Sequence, residues 1–442
     1  MTAFARSWLV MATVALLPHW SWAQDAQFEG FAPGWGVQYN AGHQTAYTAP
    51  CPDPTYELLP DNRSPWYDFD SQFELVLDDM VEGSGVKVEY LLGSFQRPGN
   101  ALLGAPLGSV PNPRERFNVS AGAVIDAQAI VPDTSPLQLE AQSGVRTTIS
   151  LNAFRDFSLE ASYVGMQDMR SAFQLVPSGL DPDDFPNAVR FYATSVLDSG
   201  AVGSRVILYD RLYEADYKAQ YWSGEVNVLF NNNSPNTGYR MRPLLGFRFN
   251  AYDEDLVQHG EFDNSSGIDA VLGTLTTPER NTIRSSTQNN LYLGQVGFQA
   301  ELVDKWFTIG VAPKIGLGAN TIRTNVFTSD LRDSADIVDI VDDGITSANR
   351  NSVIFGSNLD LNAYLKIRVN PWLSLTGSAF YWYMPNVARA HDTLVYDDNG
   401  IGGPIVVPPD PLNLPIPPAF RPRIHTQGLG IHGFTVGAEI TF

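Results

Sequence analysis

Twelve charged residues stand at alternate positions within stretches whose intervening positions are apolar or small. Successive side chains of a β-strand point to opposite faces, so each stretch would place its charges on one face and its apolar residues on the other. A face lined in this way could bind ions or guide small polar solutes. The positive members are Lys87, Arg146, Arg248, Lys314, Lys366 and Arg368, and the negative members are Glu89, Glu160, Glu225, Glu301, Asp360 and Glu439.

The six positive and six negative charges of this face cancel, and two interpretations stay open. The leading one is a hydrated pore for passive diffusion of small hydrophilic solutes, in which these side chains line the lumen. The alternative is a cross-strand network of salt bridges that fills a narrow barrel, which would then act through acidic surface loops in structure or adhesion. If the apolar faces contact lipid, placing the charges inside avoids a cost of about 2–4 kcal/mol for each charge at the membrane centre.

Motifs for catalysis or cofactor binding are weak. GLGIHG at 428–433 matches the dinucleotide fingerprint, but too few residues follow it for the helix and the acid that the fingerprint needs. Walker, nucleophile-elbow and HExxH sequences do not occur. His259, His391, His425 and His432 lie near the predicted rims of the barrel, where a lone exposed histidine is ordinary, whereas an outer-membrane hydrolase would need His with Asp or Ser converging there. The sequence therefore predicts no enzymatic activity, no cofactor and no metal.

The elements that carry the charges are predicted strands. Ten stretches between Val86 and Phe442 alternate with a period of two, and weaker candidates at 120–131 and 191–209 raise the count to twelve. The intervening connections alternate in length. Short ones fall at 154–156, 231–238, 303–305 and 370–371, and long ones at 93–143, 165–216, 251–290, 321–352 and 385–430.

This alternation is typical of one fold class. It predicts an all-β protein, an antiparallel transmembrane β-barrel of ten to twelve strands with short periplasmic turns and long extracellular loops. Counting back from Phe442 places every short turn on the periplasmic side.

Aromatic residues support a membrane-spanning wall. Trp306 and Trp372 follow short turns and would mark an inner girdle, and Tyr381, Trp382 and Tyr383 would mark the outer girdle ten residues later. Ten residues of tilted strand cover about 25 Å, the height of an outer-membrane apolar band. The predicted partner of this wall is outer-membrane lipid.

The last ten residues, GFTVGAEITF, form the most regular stretch of the chain. A closed barrel has no edge, so this last strand should pair with the first, near Val86. An alternating C-terminal strand that ends in an aromatic residue is also the expected signal for the outer-membrane assembly machinery. The predicted insertion signal is Phe434, Val436, Ala438, Ile440 and Phe442.

The N-terminal part has a different composition. Residues 1–23 have the short apolar run and small-residue site of a cleaved signal peptide, which indicates export to the bacterial outer membrane. Residues 24–85 are acidic and rich in proline, and they could form a periplasmic tail or a plug. Residues 86–442 form the predicted barrel. Cys51 is the only cysteine, so the chain makes no internal disulfide.

The chain is strongly acidic, with 28 Lys and Arg against 48 Asp and Glu and a net charge of −20. This charge argues against nucleic acid as a partner. Much of the acidity lies in 24–85 and in the predicted loops 251–290 and 321–352. These loops could collect divalent cations, or they could form a solvated surface. Nothing in the sequence decides whether the barrel forms a homo-oligomer.

Several of these stretches together resemble the β-barrel porin family typical of planctomycetes, and they occur in the same order along the chain. The resemblance covers nearly all of 86–442, and it implies an outer-membrane barrel with a transport role and no catalytic residues. The stretches include SGVRTTISL (143–151), YWSGEVNVLF (221–230), RPLLGFRFNAYDEDL (242–256), FYWYMPNVARAHD (380–392) and HTQGLGIHGFTVGAEITF (425–442).

Overall fold

The computed structural model describes eleven ranges of the chain: 84–104, 117–119, 127–139, 141–152, 156–177, 189–198, 204–231, 238–265, 274–329, 345–398 and 420–442. No helix within these ranges is long and apolar enough to cross a membrane. The predicted signal peptide (1–23) and all of the lead up to residue 83 lie outside the described residues, and both stay predictions.

The described ranges contain nineteen strands and one short helix. In chain order they are β1 (Gly85–Phe95), β2 (Phe117–Val119), β3 (Ala127–Ile130), β4 (Gln142–Leu151), β5 (Phe157–Met166), β6 (Met169–Leu175), β7 (Val189–Asp198), β8 (Ser204–Tyr209), β9 (Leu212–Phe230), β10 (Gly238–Phe262), β11 (Glu279–Val303), β12 (Phe307–Val311), β13 (Lys314–Ser329), β14 (Ile345–Arg368), β15 (Leu373–Ala388), α1 (Ala390–Thr393), β16 (Leu394–Val395), β17 (Asp397–Asp398), β18 (Arg421–Pro422) and β19 (Thr426–Thr441).

Ten wall positions close into a ring. Its order is β1, β4, β5, β9, β10, β11, β12 with β13, β14, β15 and β19, and every pairing around it is antiparallel. β19 pairs with β1 over eleven residues, from Gly85 with Thr441 to Phe95 with Ile431. This closure satisfies the backbone of both terminal strands, as a membrane-spanning sheet requires. The predicted fold class is confirmed.

One wall position is interrupted. The stretch around 307–317 divides into β12 and β13 at Ala312 and Pro313. Proline has no N–H for the sheet ladder, but the carbonyl of Pro313 still accepts a hydrogen bond from Phe298 N at 3.2 Å, and Ala312 N donates to Asn362 O at 2.7 Å. The wall therefore stays continuous across the break.

The outer face of the ring carries the apolar band. On β10 it runs from Tyr239 to Phe249, and on β11 from Tyr292 to Leu302, with every second side chain exposed or half-buried. Trp306 and Trp372 lie beside the periplasmic turns with 62% and 56% of their surface exposed. Both girdle tryptophans thus face outward.

The expected outer girdle needs one correction. Tyr381 and Tyr383 face outward, and their rings stack with centroids 6.5 Å apart. Trp382 is buried inside the barrel, because the alternation of a strand sends it to the opposite face from its two neighbours. The other outer-girdle aromatics are Trp222, Phe249 and Tyr292, whose rings contact one another at centroid distances of 4.7 and 5.0 Å.

The weaker strand candidates do not join the ring. The described residues in and next to 120–131 and 191–209 form a separate mixed sheet of β2, β3, β7, β8 and β17. This sheet contacts the outer end of β10, where a Cβ on Gly260 would lie 2.0 Å from Cε1 of Tyr209. Only glycine permits this close approach.

The predicted loops 251–290 and 321–352 are shorter than expected. β10 continues to Phe262 and β11 already begins at Glu279. In the same way, β13 continues to Ser329 and β14 begins at Ile345. The polar residues beyond the apolar band belong to strands that continue above the membrane. Their outward face is polar there, and their inward face mixes polar residues with buried apolar ones such as Leu256, Ile283 and Val326, so the period-two signal is weaker. The remaining acids, Asp269, Asp330, Asp333, Asp336, Asp339, Asp342 and Asp343, lie outside the described residues.

Candidate functional site: the barrel lumen and its outer mouth

All twelve residues of the predicted charged face lie on the inner face of the ring. Six of them are buried there: Arg146, Glu89, Arg248, Glu301, Lys314 and Asp360. Arg368 is exposed at the periplasmic rim. The remaining five are half-buried, and they are Lys87, Glu160, Glu225, Lys366 and Glu439.

One ionic cluster joins four neighbouring strands at the level of the apolar band. Arg146 Nε on β4 donates to Glu89 Oε2 on β1 at 2.5 Å, and Nη2 donates to Ser378 Oγ on β15 at 3.0 Å. Thr435 Oγ1 on β19 donates to the second oxygen of Glu89 at 2.9 Å. Both charges are therefore neutralised locally.

A second cluster reaches across the lumen. Arg248 on β10 contacts Glu225 on β9 and also Asp360 on β14, three wall positions away. Lys314 Nζ on β13 lies 2.6 Å from Glu225 Oε1, again three positions around the ring. All four side chains are at most 10% exposed. Contacts between strands three wall positions apart cross the lumen, and their side chains occupy the interior of the barrel.

Ion pairs also fill the periplasmic half. Lys366 Nζ lies 2.6 Å from Glu439 Oε1. Glu301 accepts hydrogen bonds from Arg240 Nε at 2.7 Å and from Tyr364 Oη at 2.7 Å, and Arg242 Nη2 lies 3.7 Å away.

Sequence reasoning missed Arg240 and Arg242. They have the same parity as Arg248 on the same strand. Extending the alternation of β10 to its first residues would have found both.

An aromatic contact crosses the full width of the lumen above the second cluster. Tyr221 lies on β9 and Trp382 on β15, which are five wall positions apart in either direction around the ring. Their rings stack with centroids 5.5 Å apart, and Phe380 stacks on Trp382 at 4.2 Å. Trp382 Nε1 donates to Asp360 Oδ1 at 3.1 Å, which links this layer to the ionic layer.

The outer mouth is occupied by residues 385–396, which we call the mouth segment. It begins with the last four residues of β15 and includes α1. Arg389 forms a fully buried ion pair with Glu254 of β10, and their side chains are 1% and 0% exposed. Ala390 N donates to the other oxygen of Glu254 at 2.8 Å, and Arg389 Nη2 also donates to Tyr217 Oη at 3.0 Å.

Further hydrogen bonds attach the mouth segment to the opposite wall. Asn289 of β11 bonds both the N–H and the carbonyl of Ala388, at 2.8 and 2.9 Å. Asn320 of β13 donates to Asn386 O at 2.7 Å. Gln258 of β10 donates to Tyr396 Oη at 2.9 Å. The segment is therefore fixed to three strands besides its own.

Electrostatics at the mouth follow from burial and from the ion pair. Burial would raise the pKa of Glu254, but the Arg389 guanidinium, His391 and two tyrosine hydroxyls outweigh it and hold the pKa below its usual value. Burial lowers the pKa of His391 to about 4, and Arg389 adds to this, while Glu254 and Asp392 oppose it. At neutral pH the site thus contains a charged Arg389–Glu254 pair and a neutral His391.

The sequence did not single out Glu254 or Arg389 as a pair. Glu254 was counted in an acidic loop, and Arg389 lies 135 residues away. Glu254 lies an even number of residues from Arg248 on the same strand, which predicts that Glu254 also faces inward. No feature of the neighbouring sequence identifies Arg389 as its partner.

A cavity of about 30 Å³ lies between the ionic layer and the aromatic layer of the lumen, lined by residues that include Arg146, Glu225, Arg248 and Trp382. That volume holds about one water molecule. Within the described ranges, no three His, Cys, Asp or Glu side chains are placed to hold a metal ion.

The family model described as Putative beta barrel porin-7 (BBP7) matches residues 103–442, and the chain belongs to this family. No curated protein matches the chain.

Several solved structures align with this chain at low identity. The outer membrane protease OmpT from Escherichia coli is 12% identical, with 82% of this chain and 97% of that chain covered and a TM-score of 0.39. A Pseudomonas aeruginosa FadL homologue is 10% identical, with 81% and 90% covered and a TM-score of 0.24. The CymD monoaromatic hydrocarbon channel is 7% identical, with 83% and 90% covered and a TM-score of 0.25.

Proposed function

We propose that this member of the BBP7 family is a lumen-filled outer-membrane barrel that acts through its extracellular side, as a structural or adhesive surface protein. The observation that carries this proposal is the stacking of Tyr221 on Trp382 from opposed strands. Two rings in contact across the diameter of a ring of ten strands obstruct the lumen at that level.

Layers on either side of this contact support the proposal. Below it, ion pairs cross the lumen among Arg248, Glu225, Asp360 and Lys314. Above it, the mouth segment binds the opposite wall through Arg389. Breaking buried ion pairs of this kind costs several kcal/mol each, because the remaining charge is left in a low-dielectric interior. An open conformation would have to disrupt several of these contacts together.

The part of the wall that continues above the apolar band is the surface that would carry out this structural or adhesive function. β10 and β11 extend above the apolar band with polar outward side chains, and acids such as Asp216 and Asp255 face solvent there. Such a wall, together with the acidic segments of the chain, gives a solvated surface that suits contact with the surroundings of the cell.

Passive diffusion of small hydrophilic solutes is the second proposal. The description of the family as porins favours it. The periplasmic half of the lumen also favours it, because Lys87 and Lys366 retain 25% exposure and Arg368 is exposed at the rim. Solutes could pass only in a conformation in which Trp382 leaves Tyr221.

Single-channel recording separates the two proposals. The mature chain is refolded into a planar bilayer, and its folding is checked by heat-modifiable migration in gels. We expect no conductance steps from folded protein. Stable steps of reproducible size would reject the filled barrel and support diffusion, and a salt gradient would then give the ion preference.

Export through the signal peptide and residence in the outer membrane belong to the same proposal. The apolar band, the family and the closed ring support it. Membrane fractionation of cells that express the full chain tests it, and recovery of the folded barrel in the inner membrane or the soluble fraction would contradict it.

A further inference from the structure

A polar groove of about 740 Å³ lies on the outer surface of the barrel, on the lipid-facing side of β9 to β14. The strand registers show how it is built. Gln220, Asp253, Gln288, Arg323 and Asn351 pair in sequence across five strands and form one continuous outward row. The next row outward contains Lys218, Asp255, Ser286, Asn325 and Asn349.

The height of this groove relative to the membrane is fixed by the girdle. Two residues below the first row, the same strands carry Trp222 and Val353 on their outward face, and two residues further down they carry Phe249, Tyr292 and Phe355. Aromatic residues of a girdle lie at the level of the lipid headgroups. The polar rows immediately above them therefore lie where the headgroups of the outer leaflet project.

The chemistry of the groove suits an anionic saccharide. Amides and hydroxyls dominate its lining, and both hydrogen-bond well to sugar hydroxyls. Its cations are Lys218, Arg284 and Arg323, and its acids are the outward Asp253 and Asp255 and the inward Glu254, which pairs with Arg389.

Arg323 is the cation available to a ligand. Lys218 Nζ lies 2.8 Å from Asp168, and Arg284 donates two hydrogen bonds to Asp255 at 2.7 and 2.8 Å. Arg323 makes no ion pair within the described part of the chain, and its neighbours in the row are the amides Gln288 and Asn351. Guanidinium groups bind phosphate through paired N–H donors, and Arg284 has a further N–H free for the same ligand.

We propose that this groove binds the phosphorylated saccharide headgroup of an outer-leaflet lipid, with Arg323 contacting the phosphate and the surrounding amides contacting the sugar. A second copy of the chain fits less well, because a two-fold contact through this face would set the arginine-containing patch against itself. The inference does not depend on whether the lumen conducts.

Lipid retention by the whole barrel tests this inference. The delipidated mature protein is refolded with lipopolysaccharide, and bound lipid is counted by native mass spectrometry. Wild type should retain one lipid molecule for each barrel. Arg323→Gln should weaken retention about tenfold, which is the loss of roughly one charge-assisted hydrogen bond. Arg323→Lys, which keeps the charge, should retain more lipid than Arg323→Gln.

The matched control is Arg97→Gln, the same change at an exposed residue next to β1, five wall positions from β11. It should bind like wild type. Lipopolysaccharide without its phosphates should bind wild type about as weakly as the intact lipid binds Arg323→Gln. Inorganic phosphate alone should not raise the temperature at which heat changes the gel migration of the barrel.

Three results would overturn the inference. The first is equal retention by wild type and by the double variant Arg284→Gln/Arg323→Gln, each shown to be heat-modifiable. The second is protection by inorganic phosphate equal to that by the lipid. The third is a dimer that Arg323→Gln dissociates, which would make this face a contact between copies.

Discussion

Arg389 and Glu254 form an ion pair that is buried at the outer mouth of the barrel and joins the mouth segment to the wall four positions away. Arg389 also donates to Tyr217 Oη of β9 and to the carbonyl of Gln96, the residue that follows β1, so one side chain joins β9, β10 and the end of β1.

We expect Arg389→Met to lower the free energy of unfolding by about 3–5 kcal/mol, since it leaves the Glu254 carboxylate buried without a partner. The double variant Arg389→Met/Glu254→Gln should recover much of this loss, because it removes both charges. Denaturant titration followed by tryptophan fluorescence measures both. Arg211→Met is the control. Its guanidinium makes ion pairs with Glu261 and Asp263 while 51% exposed, and its loss should cost at most about 1 kcal/mol.

Acid should loosen the mouth segment. The pKa of His391 is about 4 in the closed mouth and 6.5 when the side chain is hydrated, so the closed form binds fewer protons between these values. Its stability is therefore complete above pH 6.5 and falls as the pH drops toward 4, by up to about 3 kcal/mol. The depressed pKa of Glu254 acts in the same direction at lower pH.

Hydrogen exchange of the backbone amides of Ala388 and Ala390 measures this effect. His391→Gln should remove most of the dependence between pH 6.5 and 4. His432→Gln, a change on the outward face of β19, should leave it intact. A pH dependence that survives in His391→Gln would assign it to other groups.

Removing the aromatic contact should open the barrel at that level. We expect Tyr221→Ala/Trp382→Ala to lower stability by several kcal/mol, since each truncation leaves a cavity. If this layer is the tightest, the variant should also show conductance steps that wild type lacks. Tyr381→Ala, the outward neighbour, is the control. Absence of conductance steps from the folded double variant would show that the ionic layers close the lumen without the two rings.

Charge reversal at the periplasmic end distinguishes a filled from a conducting lumen. In wild type, Lys366 Nζ lies 2.6 Å from Glu439 Oε1, and Lys366→Glu/Arg368→Glu replaces this ammonium with a carboxylate. In a filled barrel we expect only a lower temperature of heat modification, by the equivalent of about 1 kcal/mol for a partly exposed pair. In a conducting barrel the ion preference should shift toward cations. The charge swap Lys366→Glu/Glu439→Lys should restore heat resistance.

Parts of the candidate site could be predicted because strand alternation is a local property. Glu89 and Arg146 face inward for the same reason that Val88 and Val145 face outward. Trp382 was misplaced where this rule was not applied within a run of three aromatics. Glu254 was missed because β10 continues above the membrane, where the outward face is polar and the inward face mixes polar residues with apolar ones such as Leu256.

The wall could be derived from local features of the chain. The period of two, the short turns and the last strand ending at Phe442 predict a closed antiparallel barrel with its charges inside, since each of these features depends on neighbours along the chain. The contacts that fill the interior could not be derived in this way. Whether Tyr221 meets Trp382, and whether Arg389 reaches Glu254, depends on the diameter and stagger of a ten-membered ring, and these distances arise only when strands far apart in sequence close on one another.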